Sequence, residues 1–271
     1  MADKSSFAIN TFSYMESWRA LDCLRHLAGQ GYTSFELMTY PNHFWFSDTD
    51  NAERIAIRQY CEANGLRIVA INVPNIDTNI AGASPEARAY TLRLFEDLIR
   101  LGSEVGSESI ILGTGRPNAL LPLSLTKVRD HLRRGLDRLF PVATALNMSI
   151  LIENVPFCFM PDVHAILDML DNYGNPDIGV ICDLANAHFI GEDISSALRA
   201  GKSRLKMVHL SDTTRKTFKH DPVGHGDVPF AVASAVLKEI SYRGPRVLEL
   251  ISKDPDIAIA NSIRLLGGQG F

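Results

Sequence analysis

No stretch of this sequence stays apolar for the roughly 18 residues that a membrane helix needs, so no membrane partner is expected. The first residues, Met1-Ala-Asp-Lys-Ser-Ser6, hold no apolar signal region. Cysteine is scarce. Cys23, Cys61, Cys158 and Cys182 show no CxxC spacing, which reads as reduced thiols in a cytoplasmic protein. Charge of neither sign is in large excess: a net charge of −4 gives no reason to expect nucleic acid or an anionic surface as partner. A phosphate-cradling loop is also missing. Gly113-Thr-Gly115-Arg116 and Gly224-His-Gly226 are short glycine turns and neither is a P-loop, so the substrate is expected to be unphosphorylated.

What is present is an ordinary globular composition, 46% hydrophobic and 21% charged, over 271 residues. That length is close to the roughly 250 of one eight-stranded α/β barrel. Apolar strand patterns and helical patterns alternate along it. Strands are expected at 7–12, 34–38, 67–72, 109–112, 149–153, 178–183, 205–212 and 246–251. Helices are expected at 16–30, 50–64, 84–105, 125–146, 162–173, 194–200, 229–242 and 256–266. Ser84-Pro85-Glu86 has the form of a helix start, and Gly31 and Gly65 fall where helices should stop. Strict alternation implies parallel strands with right-handed crossovers. Eight units with no linker predict a single (β/α)8 TIM-barrel domain over 1–271. The Gly267-Gly-Gln-Gly-Phe271 tail is expected to be mobile.

Four successive apolar strands end in a polar group: Ser149-Ile-Leu-Ile-Glu153, Ile178-Gly-Val-Ile-Cys-Asp183, Leu205-Lys-Met-Val-His209 and Arg246-Val-Leu-Glu249. One such residue alone is most often a loop cap, an ion-pair partner or a core histidine. Four at equivalent positions predict one site at the C-terminal rim of the barrel, where function sits in this fold. Leu151, Ile181 and Met207 share their parity and should fill the barrel below. Ile150, Ile152, Val208, Leu248 and Leu250 should face the helices. Three carboxylates so close raise one another's pKa unless a cation intervenes. Three oxygens and one imidazole suit Mn²⁺, Mg²⁺ or Co²⁺; Zn²⁺ also binds such groups, but no cysteine is among them.

In combination, Leu151-Ile-Glu153-Asn, Cys182-Asp183-Leu-Ala-Asn-Ala-His188, Val208-His209-Leu-Ser-Asp212, Pro222-Val-Gly-His-Gly226 and Leu248-Glu249-Leu resemble a known family over nearly the whole chain. It is that of the sugar-phosphate isomerase/epimerase barrels related to xylose isomerase, D-tagatose 3-epimerase and, more distantly, endonuclease IV. The resemblance implies metal ligation by Glu153, Asp183, His209 and Glu249. It makes Glu153 and Glu249 an acid/base pair that moves a proton beside the carbonyl of a ketose or keto-polyol, through an enediolate. Arg215 matches a substrate-contacting arginine. The epimerases carry a histidine where this chain has Asn186; His188 is the candidate substitute. His220 matches one of the extra histidines of the nuclease, but Asn72 and Gly113 stand where others would be needed. A dehydratase of the 3-dehydroshikimate or inosose type is the alternative, and a nuclease the remoter one. The loop Tyr40-Pro-Asn-His-Phe-Trp-Phe46, with Trp45, would close over the sugar as an apolar lid. It would equally serve as a subunit contact in a homo-oligomer.

Overall fold

The computed structural model describes residues 4–74 and 78–271; Met1-Ala-Asp, part of the polar start read above, lies outside them. The strands in chain order are β1 (Ala8–Asn10), β2 (Ser34–Met38), β3 (Arg67–Asn72), β4 (Ser109–Leu112), β5 (Ser149–Glu153), β6 (Gly179–Asp183), β7 (Leu205–Leu210), β8 (Asp212–Thr214), β9 (Thr217–Asp221) and β10 (Arg246–Leu248). All but β8 and β9 close into a parallel barrel in the order β1-β10-β7-β6-β5-β4-β3-β2. The expected (β/α)8 barrel is therefore present, with β8 and β9 forming an antiparallel hairpin at its rim.

Around it lie α1 (Ala20–Gly29), α2 (Asn51–Ala63), α3 (Pro85–Glu104), α4 (Leu125–Ala145), α5 (Val163–Tyr173), α6 (Leu184–Ile190), α7 (Ile194–Gly201), α8 (Phe230–Glu239) and α9 (Pro255–Gly268). Side-chain oxygens of Asp50, Ser84, Ser124 and Asp162 accept from backbone N–H groups in the first turns of α2 to α5, satisfying donors that a helix start leaves open. No described helix is long and apolar enough to cross a membrane.

Strand parity sorts the core into two. Ala8, Val69, Ala70, Ile111, Leu151, Ile181, Met207 and Val247 form a small cluster of their own inside the barrel. Ile150, Ile152, Val208, Leu248 and Leu250 belong to the larger core under the helices. The alternation that predicted this follows from the period of two along a strand.

Several expectations need correction. The first helix starts at Ala20, not at 16. Phe12–Tyr14 is a 3-10 turn, and Arg19 stays extended while its guanidinium binds Glu53 and Asp48. A helix precedes α7 because Asp183, the last residue of β6, also caps α6. The C-terminal tail is docked. Phe271 packs on the core, its ring 6.5 Å from that of Phe230 and its N–H donating to Leu266 O.

The aromatic loop is also tied inward. His43 and Phe44 are fully buried. His43 Nδ1 lies 2.5 Å from Trp18 O, its Nε2 2.9 Å from Thr11 Oγ1, and its carbonyl accepts from Ala20 N. Burial pushes the His43 imidazole from its ordinary 6.5 down to about 4. The unfolded chain takes up a proton there near pH 6.5 that the folded chain refuses until about pH 4, so stability falls as pH drops through that window. Urea unfolding between pH 7 and 4 should show the parent losing on the order of 3 kcal/mol more than His43→Gln. Parallel curves for the two would mean that the folded ring already carries the proton.

Candidate metal centre

Two residues beyond Leu151, Ile181, Met207 and Val247, the barrel interior turns polar with Glu153, Asp183, His209 and Glu249. Strand tilt requires staggered pairing in a closed barrel. Glu153 stands opposite Ile181, and Asp183 opposite His209. The imidazole of His209 is the meeting point. Its Nδ1 is 3.2 Å from Glu153 Oε1, 3.2 Å from Glu249 Oε2 and 3.8 Å from Asp183 Oδ2. One ligand atom from each of the four lies within 4.8 Å of the others. Asp183 and His209 are completely buried, Glu249 is 4% exposed and Glu153 7%. All four sequence-predicted ligands are thus brought together at the barrel mouth.

The pattern of the Xylose isomerase-like TIM barrel family matches residues 24–267. The chain belongs to this family. L-ribulose-5-phosphate 3-epimerase of Shigella boydii serotype 18 is 23% identical over 218 residues, which cover 80% of this chain and 76% of that protein. A D-tagatose 3-epimerase-like protein superposes with a TM-score of 0.82 at 16% identity, covering 97% of this chain and 99% of its own. The IOLI protein, solved with a zinc atom, superposes with a TM-score of 0.81 at 14% identity, covering 97% and 96%. At such identities the superpositions speak for the fold alone.

The donor set in this xylose isomerase-like barrel fits a divalent cation. No Lys or Arg forms an ion pair with the three carboxylates among the described residues; their positive partners are His209 and His220. Asp183 Oδ2 is buried and accepts no hydrogen bond among them. Burial pushes Glu153 up to about 7 and Asp183 up to about 6. Burial opposes the charge on Glu249 too, but the two imidazoles outweigh it and hold that carboxyl well below the ordinary range. The imidazoles move the other way: burial opposes their charge, yet the surrounding carboxylates lift His209 well above its usual value and His220 to about 9. A second group, Asp162, His164 and Glu192, lies at the start of α5. There Asp162 Oδ1 accepts from Ala165 N, and Glu192 Oε1 accepts from Val163 N.

The centre opens into a cleft of about 530 Å³ whose walls include Phe12, Met15, Arg116, Val155, Asn186, Phe218 and His220. Two of the sequence-predicted substrate contacts are therefore in it. Asn186, 2% exposed, has Nδ2 3.5 Å from Glu153 Oε1 and leaves Oδ1 buried without a partner among the described residues. His220 Nδ1 is 3.2 Å from Glu249 Oε2. The other three are elsewhere. His188 points Nε2 at Asp227 Oδ1, 2.7 Å away. Arg215 is exposed in the turn between β8 and β9, outside the cleft wall. Trp45 packs against Phe46 on the core rather than over the cleft.

Arg116 is the cleft cation that sequence reasoning passed over. Gly115 delivers it, with φ +88° and no room for a side chain: a Cβ there would sit 2.6 Å from Asn79 Oδ1. The available signal was position, since Arg116 lies in the loop after β4, on the functional face.

Protons and cation compete for the same oxygens, so cation uptake should release protons and weaken as pH falls from 8 through 7 to 5. Calorimetry of the metal-free protein with Mn²⁺ in buffers of different ionisation enthalpy measures both effects. His209→Ala should lower the affinity at every pH. Uptake that does not vary across this range would show that these carboxyls are not the ligands.

Proposed function

We propose that the protein is an epimerase or isomerase of a ketose or related keto-polyol. It works with a divalent cation, Mn²⁺ by preference, held by Glu153, Asp183, His209 and Glu249. The buried carboxylate–imidazole layer opening on one cleft carries this reading. Membership of the xylose isomerase-like family and a relative named as an L-ribulose-5-phosphate 3-epimerase support it.

The cation, when bound, supplies Lewis-acid polarisation of the sugar carbonyl. The chain does the rest. Glu153 and Glu249 address the carbon beside the carbonyl from opposite faces, one removing a proton and the other returning one. Glu153 suits the role of base: Oε1 faces His209 Nδ1 and Asn186 Nδ2, while Oε2 has no hydrogen bond among the described residues. The free Oδ1 of Asn186 accepts a substrate hydroxyl, and His220 lies against the Glu249 side. Phe12, Met15, Val155 and Phe218 keep that part of the cleft apolar and press water away from the reacting carbon. Arg116 meets the far end of the sugar.

A panel of ketoses and their 5-phosphates in D₂O with Mn²⁺, followed by mass spectrometry and chromatography, tests this. Deuterium should enter beside the ketone of one member as its stereoisomer appears. Glu153→Gln and Glu249→Gln should each slow the exchange by about 10²-fold or more while the melting temperature changes little. Full activity in either variant removes the acid/base pair, and absence of exchange across the whole panel removes the function.

A further inference from the structure

The polar layer continues round the barrel beyond the four candidate ligands. Asn10 ends β1, Glu36 lies inside β2 and Asn72 ends β3. All three are buried, Glu36 completely. Glu36 Oε2 is 3.0 Å from His209 Nε2, on the opposite side of the ring from the nitrogen that faces the three carboxylates. Glu36 Oε1 accepts from Asn10 Nδ2 at 2.5 Å and from Asn72 Nδ2 at 2.9 Å. The same two amides reach Glu249 Oε1, at 3.2 and 3.0 Å. The orientation of Asn10 is fixed from outside: its Oδ1 accepts from Phe12 N at 2.7 Å, which turns its NH₂ toward the carboxylates.

We propose that Glu36 is a positioning residue for cation binding. With Asn10 and Asn72 it forms a buried bracket that keeps the His209 proton on Nε2, leaves the Nδ1 lone pair for the cation and leaves Glu249 only Oε2 to offer. This rests on the cation site of the proposed function and adds residues from the half of the barrel that contributes none of the four ligands.

A neutral imidazole carries one N–H and one lone pair, and the partner of one nitrogen decides which is which. A carboxylate on Nε2 selects the proton there and makes Nδ1 the better ligand. The two amides occupy the other oxygen of Glu36, so the carboxylate cannot rotate away. They also fill Oε1 of Glu249, which fixes that side chain with one oxygen inward and one toward His209 and His220. Room for the bracket comes from small residues below it, Ala8 under Asn10 and Ala70 under Asn72.

A carboxamide at position 36 has nearly the same shape but only one accepting atom. If that oxygen serves the two amides, the NH₂ faces Nε2 and drives the ring proton to Nδ1, where the cation belongs. If it serves Nε2, the NH₂ abuts two other NH₂ groups. Glu36→Gln should therefore weaken Mn²⁺ binding about 10- to 100-fold, measured by calorimetry on metal-free protein whose circular dichroism matches the parent. Long-range ¹H–¹⁵N correlations of His209 in the Zn²⁺-loaded parent should place the proton on Nε2 and the metal on Nδ1, a result that does not depend on any variant folding. Mn²⁺ affinity of Glu36→Gln within twofold of the parent, or metal on Nε2, overturns the bracket. A parent that binds Mn²⁺ with the proton on Nε2 but turns over no ketose upholds the bracket and overturns only the epimerase reading. A parent that binds no divalent cation overturns both.

Discussion

Three carboxyl groups share one imidazole inside a closed cylinder, and most of the molecule's chemistry follows from that crowding. Like charges about 4 Å apart repel by roughly 4 kcal/mol at the effective dielectric of a protein site. Three such pairs approach the ~5–15 kcal/mol by which a whole domain is stable. The groups cannot relieve this by moving apart, because Glu153, Asp183 and His209 stand on strands fixed by neighbours on both sides. Nor can water reach them from below, where Leu151, Ile181, Met207 and Val247 close the interior. What remains is to hold protons or to hold a cation. The raised pKa values of Glu153 and Asp183 and the charged imidazoles are the first solution, and the orphaned Asp183 oxygen marks the second.

The barrel divides this work unevenly around its circumference. β5, β6 and the residue after β10 bring the three carboxylates that repel one another, and β7 brings the imidazole between them. β1 and β3 bring neutral amides, and β2 brings one further carboxylate set apart from the rest by the imidazole ring. Amide N–H groups stabilise a carboxylate without adding a charge that would compete for the cation. A lysine in their place would neutralise the site and leave nothing for a metal to do. The amides therefore hold Glu249 and Glu36 in place while keeping the electrostatic demand for a cation intact.

How much of this could be read from the chain depended on whether a residue's role follows from its strand parity. Glu153, Asp183, His209 and Glu249 each end an otherwise apolar run, and one rule about alternation put them in a common layer. Glu36 obeys the same parity, but a single glutamate inside Ser34-Phe-Glu-Leu-Met38 reads as a solvent-facing residue unless the strand is known to be closed on both sides. α6 was missed because Asp183 does two things at once, pointing one oxygen into the barrel and capping a helix with the other. Arg215 and Arg116 show the limit most plainly. Resemblance to the epimerases favoured the first, whereas the backbone path through Gly115 carries the second into the cleft. Likewise, the aromatic run at 40–46 is apolar enough for a lid or for a core. Only the hydrogen bonds of His43 to Thr11 and Trp18 settle its direction.

The cleft wall opposite Arg116 depends on a turn whose role is mechanical. His220 and Phe218 ride on β9, at the end of a short hairpin that has no core of its own and would be marginal alone. Three ties hold it. Asp212 accepts from the backbone of Gly224 and Val228, Asp227 N donates to Thr213 O, and Ile251 N donates to His220 O at 2.7 Å. The first two ties bring the 224–228 segment so close to β8 that a Cβ at Gly226 would collide with the Thr213 carbonyl. Glycine is thus required at Gly226 for contact between backbones. The third tie joins the hairpin to the end of β10, the strand that delivers Glu249. A shift in either element would be felt by the other, so His220 and Glu249 keep their 3.2 Å separation as parts of one stitched unit. The rings of Phe157, Phe189 and Phe218 pack on one another tilted or edge-on, and Phe218 stands edge-on to the His220 imidazole.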